Sequence, residues 1–501
     1  MSDLFAPVER NAAFTPDKAA LHFEGETVSY AALVARVRRV AAGLLRAGVG
    51  PGDRIALLAH NHPDHLALLY AAARLGAILT PLNWRLAHEE LAYAMGHAAP
   101  AILAHGPGFE DEAARLAPAA RLRRIGTDGD LAADDEASLP AAGDPAAPAL
   151  MVYTSGTTGR PKGALLSSAA LLANAVQSQH MHQMTAADHI LTVLPMFHVG
   201  GLNIQLTPAL SLGATATLHA RFDPAATLTA IAADRPTLTV LVPATMAAIL
   251  AQPDFATTDF SSLRAIATGS TIVPERLIAA IAARGPQVLC VYGATETCPI
   301  AAYDRAGVPR QPGGTGRPGV LTDLAILDDA GAPVAPGAHG EIAVAGAILS
   351  GYFDAEAETR AAMRGRHFLT GDIGSLGPDG TLTVHERKKN MIVSGGENIY
   401  PAEVERALSA HPGVAACAVV GKADPRWQEV PVAFVVPRGA VSVDALVAHM
   451  SGLLARYKVP RDVRFLDALP LTALGKVEYG ALRDKARTAS TDPLASGAPK
   501  S

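Results

Sequence analysis

The sequence predicts an α/β protein in two parts: a large N-terminal α/β domain with layered, mostly parallel sheets, and a smaller C-terminal α+β domain. Short continuous apolar runs alternate with helical periodicity through the first three-quarters of the chain, and such runs suit strands covered on both faces. The texture changes near residue 385, where the charge cluster His385-Glu-Arg-Lys-Lys-Asn390 precedes the turn-forming Ser394-Gly-Gly396. A length of 501 residues also exceeds what one simple core organises.

The elements follow in order. Leu33, Val34, Val37, Val40, Leu44 and Leu45 recur at helical spacing over 31–47, and Gly48 and Gly50 stop that helix. Arg54–Ala59 reads as a buried strand, 64–75 as a helix and Ala77–Pro81 as a strand. Further strand-like runs lie at 187–194, 237–243, 264–268 and 287–292. Residues 110–147, rich in Ala, Asp and Pro, predict a surface connection. After the charge cluster come helices at 401–410 and 443–456, strands at 414–421 and 431–437, and a Lys/Gly-containing loop near 476. The tail 486–501 predicts disorder.

Composition narrows the function classes. Hydrophobic residues make up 49% and charged residues 18%, enough to bury a large core in a soluble chain. A net charge of -5 without a long basic run argues against nucleic acid as partner. Cys290, Cys298 and Cys417 are scattered, which disfavours a disulfide framework or structural zinc and suits a reducing cytoplasm. The first residues lack a basic start followed by an apolar run, and no apolar stretch is long enough to span a bilayer. Peripheral membrane contact and a homodimer are compatible with the sequence.

The strongest local signal is Tyr153-Thr-Ser-Gly-Thr-Thr-Gly-Arg-Pro-Lys-Gly163, entered from an apolar strand over Ala149–Tyr153 and followed by a helix at about 167–180. Gly156, Gly159 and Gly163 let backbone N–H groups approach an anion. Ser155, Thr157 and Thr158 add hydroxyls, and Lys162 adds a positive charge. A flexible surface turn is the competing reading, but this density of donors after a strand suits a polyphosphate. It is not a Walker A loop, because the glycine spacing differs and no Ser or Thr follows the lysine.

This segment resembles the signature of the adenylate-forming superfamily, in its acyl-CoA synthetase and aryl-CoA ligase branch, and other motifs of that superfamily follow in order. The resemblance implies ATP, Mg²⁺ and coenzyme A as cofactor and co-substrates. It assigns Thr154, Ser155, Gly156, Thr157, Thr158, Gly159 and Lys162 to the phosphates. Tyr292-Gly-Ala-Thr-Glu296 would supply an aromatic ring for adenine at Tyr292, backbone at Gly293, a phosphate contact at Thr295 and the metal carboxylate at Glu296. Asp372 of Phe368-Leu-Thr-Gly-Asp372 would accept the ribose hydroxyls, with Arg387 beside ribose and phosphate. Lys389 would be the hinge of a mobile C-terminal domain, and Gly395 and Gly396 would border the pantetheine tunnel after rotation. Lys476, in Pro470-Leu-Thr-Ala-Leu-Gly-Lys476, would offset charge as carboxylate meets α-phosphate. Each of these residues alone would pass for an ordinary turn or surface charge.

Leu194-Pro-Met-Phe-His198-Val-Gly-Gly-Leu202 resembles the loop that gates the acyl and pantetheine channels. His198 is read as that gate, and its near-neutral titration also admits base chemistry; a core histidine is the rival reading. His198, Val199, Gly269, Ser270, Val291 and Ala294 are the pocket candidates, and Lys476, Thr295, Glu296 and His198 the catalytic ones. Thr268-Gly-Ser-Thr271 is more polar than the small-residue run usual in relatives. Val291 stands where malonate-specific relatives carry an arginine, which points away from small dicarboxylates. Gly200 and Gly201 are expected to leave room for a sizeable acyl group.

The implied domains are 1–388 for AMP and acid, 389–485 as the mobile part, and 486–501 as the tail. The implied activity is ATP-dependent ligation of a fatty or aromatic monocarboxylic acid to CoA through an acyl-adenylate. Loading of a carrier protein, an oxidative luciferase-type reaction and non-catalytic nucleotide binding are the rivals. The retention of Lys476, Glu296 and Asp372 argues against the last.

Overall fold

The computed structural model describes residues 3–487 apart from 118–120, 127–128, 134, 137–138, 140–142, 155–160, 272, 395–396, 426, 461 and 473–475. The chain forms two compact units. The first comprises Met1–Ala325, Ala343–Thr370 and Gly377–Leu382; the second comprises Ile326–Ile342, Gly371–Leu376 and Thr383–Ser501.

The first unit holds two large sheets. One has nine strands in the order Arg317–Pro318, Ala302–Tyr303, Gln287–Tyr292, Ala265–Gly269, Leu238–Val240, His189–Thr192, Thr215–Leu218, Ala19–Phe23, Glu26–Ser29. Its interior, from Gln287–Tyr292 to Ala19–Phe23, is parallel throughout. The other has seven strands in the order Gly351–Tyr352, Lys162–Ser167, Pro148–Thr154, Ile78–Pro81, Arg54–Leu58, Ile102–His105, Arg121–Arg124. It too is parallel from Pro148–Thr154 onward. The helix Tyr30–Arg46 starts where the Ser29 side chain accepts the Ala32 N–H at 3.2 Å. It buries Leu33, Val37, Val40 and Leu44 completely. The helix Pro63–Leu75, buried along its whole length, opens with proline in its first turn and stops at Gly76 with φ 72°.

One sequence expectation changes here. Residues 110–147 are more than a surface connection: Glu110–Leu116 is a helix, and Arg121–Arg124 adds a parallel edge strand to Ile102–His105. Leu131 is 3% exposed, and its carbonyl would lie 2.0 Å from a Cβ placed on Gly43. The Ala- and Asp-rich composition hid this packing because only isolated apolar residues carry it. The helix expected at about 167–180 is present as Ser168–His182, with one strand before it that the sequence did not predict. Lys162–Ser167 returns as a strand antiparallel to Pro148–Thr154, and the helix Ser168–His182 begins only after it.

The second unit is built on an antiparallel sheet in the order Glu397–Ile399, Ile392–Ser394, Gln428–Pro437, Val414–Asp424, with Asp462–Phe465 parallel to Gln428–Pro437. Alternation along these strands separates two cores. Val419, Ala433 and Val435 meet Leu408, Leu446 and Met450 on one face; Ala418, Val432 and Phe434 meet Leu482 and Ala486 on the other. The second helix ends at Ser451 rather than 456, and a 3₁₀ turn follows at Arg456–Lys458. The helix Tyr479–Arg487 runs past the expected end at 485; the remainder of the expected tail, 488–501, lies outside the described residues.

The division between units also departs from the joint expected at 388. Its last crossing is at Leu382, and Ile326–Ile342 and Gly371–Leu376 join the later chain. A composition shift marks one point in a linear chain, whereas these cuts fall within the strands Asp323–Leu327, Gly340–Ala345 and His367–Leu376. Among the described residues no helix is long and apolar enough to cross a membrane.

Candidate active site

In the first unit the anion loop lies in sequence between two antiparallel strands, Pro148–Thr154 and Lys162–Ser167. Pairing runs from Pro148↔Ser167 to Thr154↔Lys162, so Thr154 and Lys162 face each other where the strands end. Ser155, Gly156, Thr157, Thr158 and Gly159 lie outside the described residues. The Tyr93 hydroxyl donates to the Pro161 carbonyl at 3.2 Å and ties down the returning arm. A Cβ on Gly163 would meet Met151 Sδ at 2.7 Å, so glycine permits close strand contact here.

The strand Gln287–Tyr292 delivers the second motif. A Cβ on Gly293 would sit 1.8 Å from the Pro299 carbonyl oxygen, so no larger residue fits this turn. Tyr292 is buried, and its carbonyl accepts the Ala301 N–H at 2.9 Å. Thr295–Thr297 forms a 3₁₀ turn pinned by the Ala294 N–H donating to Thr297 Oγ1 at 2.9 Å. Glu296 projects from that turn. Its Oε1 accepts the Tyr352 hydroxyl at 2.9 Å and Thr154 Oγ1 at 3.3 Å. Burial and the Glu296 carboxylate push the Tyr352 phenol above its ordinary range, so it keeps its proton and donates. Lys162 Nζ lies 5.3 Å from the centroid of the Tyr352 ring.

Tyr352 is the residue the sequence reading missed. It is 56 positions from Glu296, and the strand Gly351–Tyr352 has only two residues, too few to show a period. Its place follows from pairing, Gly351↔Leu165 and Tyr352↔Ala164, which sets it beside the hairpin.

Gly269, Ser270, Val291 and Ala294 lie at or just past the carboxyl ends of the parallel strands Ala265–Gly269 and Gln287–Tyr292, where ligands of open α/β sheets bind. Gly269 pairs with Val291, and a Cβ there would lie 2.3 Å from the Val291 carbonyl oxygen. Ser270 follows with φ 75° and is exposed. The Thr268 hydroxyl is turned away to Met246 Sδ at 3.4 Å, so part of the polarity of this run is spent internally. His198 caps the short helix Val199–Asn203, accepting the N–H groups of Gly201 and Leu202 at 3.1 and 3.0 Å on its carbonyl. Its ring tilts against Phe197 with centroids 5.7 Å apart, and Val199 is packed in the main core. The two glycines differ. A Cβ on Gly201 would be 2.3 Å from the Pro195 carbonyl oxygen, while one on Gly200 meets nothing within 4 Å. The expectation that both leave acyl space is therefore corrected: Gly200 borders open space and Gly201 serves packing.

The second unit gathers Asp372, Arg387 and Lys476. Asp372 is 6% exposed, and its Oδ1 lies 2.6 Å from Arg387 Nε. Thr472 N–H donates to the Lys476 carbonyl at 2.7 Å, and Lys476 N–H donates to Thr472 Oγ1 at 3.2 Å. This clasp brings Lys476 back across the turn while leaving it access to solvent. Crowding by protein and the Arg387 charge lower the Lys476 pKa, with Asp372 opposing. Lys389 lies in the 3₁₀ turn Lys388–Asn390, inside the second unit, and Gly395 and Gly396 lie outside the described residues. Lys388 Nζ bridges Asp329 and Glu341, both at 3.1 Å. Glu386 accepts the N–H groups of Arg387 and Ala402 at 2.7 and 3.0 Å, and burial raises its pKa.

Among the described residues no three His, Cys, Asp or Glu side chains cluster as a metal cage. The Glu296 group nevertheless suits a hard cation that keeps most of its ligands from water and phosphate. Its nearby donors are all oxygens, both hydroxyls fall on Oε1, and no described residue bonds Oε2. Cys290 and Cys298 are buried, and burial pushes the Cys290 thiol up to about 11, consistent with packing roles.

Comparison with known proteins gives the family. The family described as AMP-binding enzyme matches residues 8–353, and AMP-binding enzyme C-terminal domain matches 403–476. An indoleacetate–CoA ligase of Aromatoleum aromaticum is 46% identical over 498 residues, covering 95% of this chain and 96% of that one. A feruloyl-CoA synthase of an Amycolatopsis species is 41% identical, covering 95% and 97%. The structure of o-succinylbenzoate CoA synthetase from Bacillus subtilis with its acyl-adenylate intermediate superposes with a TM-score of 0.87 at 32% identity, covering 98% and 99%. The chain belongs to the AMP-binding enzyme family, and it is an AMP-forming acid–CoA ligase.

Proposed function

We propose that this ligase takes an aromatic monocarboxylic acid of the arylacetate or cinnamate type. The observation that carries the adenylating role is the Glu296 carboxylate held by Thr154 and Tyr352 at the end of the hairpin that bears Lys162. The choice of acid is supported by two aryl-CoA relatives above 40% identity, by the uncharged Val291 and by the open space at Gly200.

In the first step a carboxylate oxygen of the acid attacks the α-phosphorus of ATP, and pyrophosphate leaves. Lys162 and residues 154–159 hold the β and γ phosphates, Tyr292 and Gly293 seat the adenine, and Thr295 contacts phosphate. Glu296 would hold magnesium, which would supply charge neutralisation at the leaving group. Asp372 and Arg387 take the ribose, and Lys476 offsets the charge of the reacting pair, so catalysis is orientation plus electrostatics. In the second step the CoA thiolate attacks the acyl carbonyl and AMP departs. Rotation at Lys389 would exchange Lys476 for the 395–396 segment between the steps, with His198 gating the channel.

The test is pyrophosphate release from magnesium and ATP with arylacetates, hydroxycinnamates, benzoates and saturated fatty acids, followed by detection of acyl-CoA. An aromatic acid should exceed every fatty acid in kcat/KM by about tenfold or more, the scale on which an apolar pocket discriminates. A preference for fatty acids would sink the aromatic assignment.

A further inference from the structure

We propose that Tyr352 is a positioning residue for the metal carboxylate: its hydroxyl, with that of Thr154, fixes Glu296 so that Oε2 is presented to magnesium. The proposal rests on the reading of Glu296 as the metal ligand. A glutamate carboxylate turns freely about its last bond, and either oxygen can accept a donor. Here the two hydroxyls, at 2.9 and 3.3 Å, both fall on Oε1. Donors on an ionised oxygen are stronger than neutral pairs, so this arrangement selects one orientation.

The ring carrying the stronger donor is itself fixed. Tyr352 pairs with Ala164, which makes Lys162 its diagonal neighbour on the same face of the sheet. Lys162 Nζ lies 5.3 Å from the ring centroid, within reach of a cation–π contact. The Tyr352 N–H donates to Thr359 Oγ1 at 2.8 Å, and the Glu296 carbonyl accepts the Leu349 N–H at 2.8 Å. The segment 349–359 thus holds Glu296 by backbone and side chain, and Tyr352 by its backbone. Groups that orient a metal ligand without touching the metal typically change its affinity 10–100-fold.

Manganese stands in for magnesium in the test. Free Mn²⁺ is titrated by electron paramagnetic resonance into the full-length enzyme with α,β-methylene ATP, for the wild type, Tyr352→Phe, Thr154→Val and Glu296→Gln. Tyr352→Phe keeps the ring beside Lys162 and removes only the donor. It should weaken Mn²⁺ binding about tenfold, while affinity for the nucleotide without metal stays within about twofold. Thr154→Val should show a smaller loss of Mn²⁺ affinity; because Thr154 is also a phosphate candidate, the loss is read relative to that of metal-free nucleotide, and an excess loss of metal carries the test should the tyrosine variant fold poorly. Wild-type Mn²⁺ affinity in Tyr352→Phe beside a weakened Glu296→Gln overturns the proposal and leaves the metal assignment standing. Wild-type affinity in Glu296→Gln overturns both. Equal weakening of metal and metal-free nucleotide in Tyr352→Phe would reduce the tyrosine to a structural part and also overturn the proposal.

Discussion

The two units hold their functional charges in opposite ways. In the first, Glu296 sits among neutral hydroxyls, and a lysine lies over the ring that carries one of them. In the second, Lys476 lies in the field of Arg387, a like charge, and Asp372, an opposite one. The first arrangement fixes a carboxylate in place at little electrostatic cost. The second keeps a cation under repulsion, which favours its use where extra negative charge arrives. With the roles proposed above, the difference would separate a holding site from a site that answers the reaction.

The sharpest way to break this comparison is Lys476→Ala. Acid-dependent pyrophosphate release should fall by about 10²-fold or more, as for loss of a transition-state donor, while thioester formation from supplied acyl-adenylate persists. Equal loss of both steps would end the distinction. Lys389→Pro should do the reverse and impair mainly thioester formation, because proline fixes φ and removes an N–H at the expected pivot.

Next in size is the glycine pair in the first unit. Gly201→Ala forces a methyl against the Pro195 carbonyl and should cost about 1–3 kcal/mol in denaturant unfolding. Gly200→Ala should leave stability near wild type and alter the KM for bulky acids. Similar destabilisation by both would remove the distinction between packing and pocket.

A pH-dependent effect belongs to the second unit's buried acid. Glu405 accepts the Tyr479 hydroxyl at 3.0 Å and the Val419 N–H at 2.8 Å; burial, then Glu386, raises its pKa from 4.5 to about 8. Between those values the folded chain keeps a proton that the unfolded chain has lost. Stability should therefore fall as pH rises from about 5 to 8 and level off above that window. Glu386, also raised, adds to the same slope. Glu405→Gln should flatten the slope in urea unfolding measured across that range, and an unchanged slope would refute its source.

Much of the framework was legible because parallel strands read as continuous apolar runs. The expected strand 287–292 and helix 64–75 lie within a residue of Gln287–Tyr292 and Pro63–Leu75. Thr295 and Glu296 could be proposed from the sequence because they share one short motif. Tyr352 was not, since its role comes from strand pairing across 56 positions. The opposite environments of Gly200 and Gly201 were equally hidden, because a glycine's need is set by what approaches it. The edge strand Arg121–Arg124 escaped because Arg-rich edges lack the apolar signature of interior strands.

The interleaved course of the chain limits how the protein can be dissected. A fragment beginning at residue 389 would omit Ile326–Ile342 and Gly371–Leu376, and with them the whole bridge from Lys388 to Asp329 and Glu341. It would also lose Asp372, Arg387 and the Glu386 that receives the Ala402 N–H at the start of the helix Pro401–Ser409. Separating the two activities by cutting the gene therefore yields a truncated piece rather than a free-standing module, and point variants in the intact enzyme are the better scalpel.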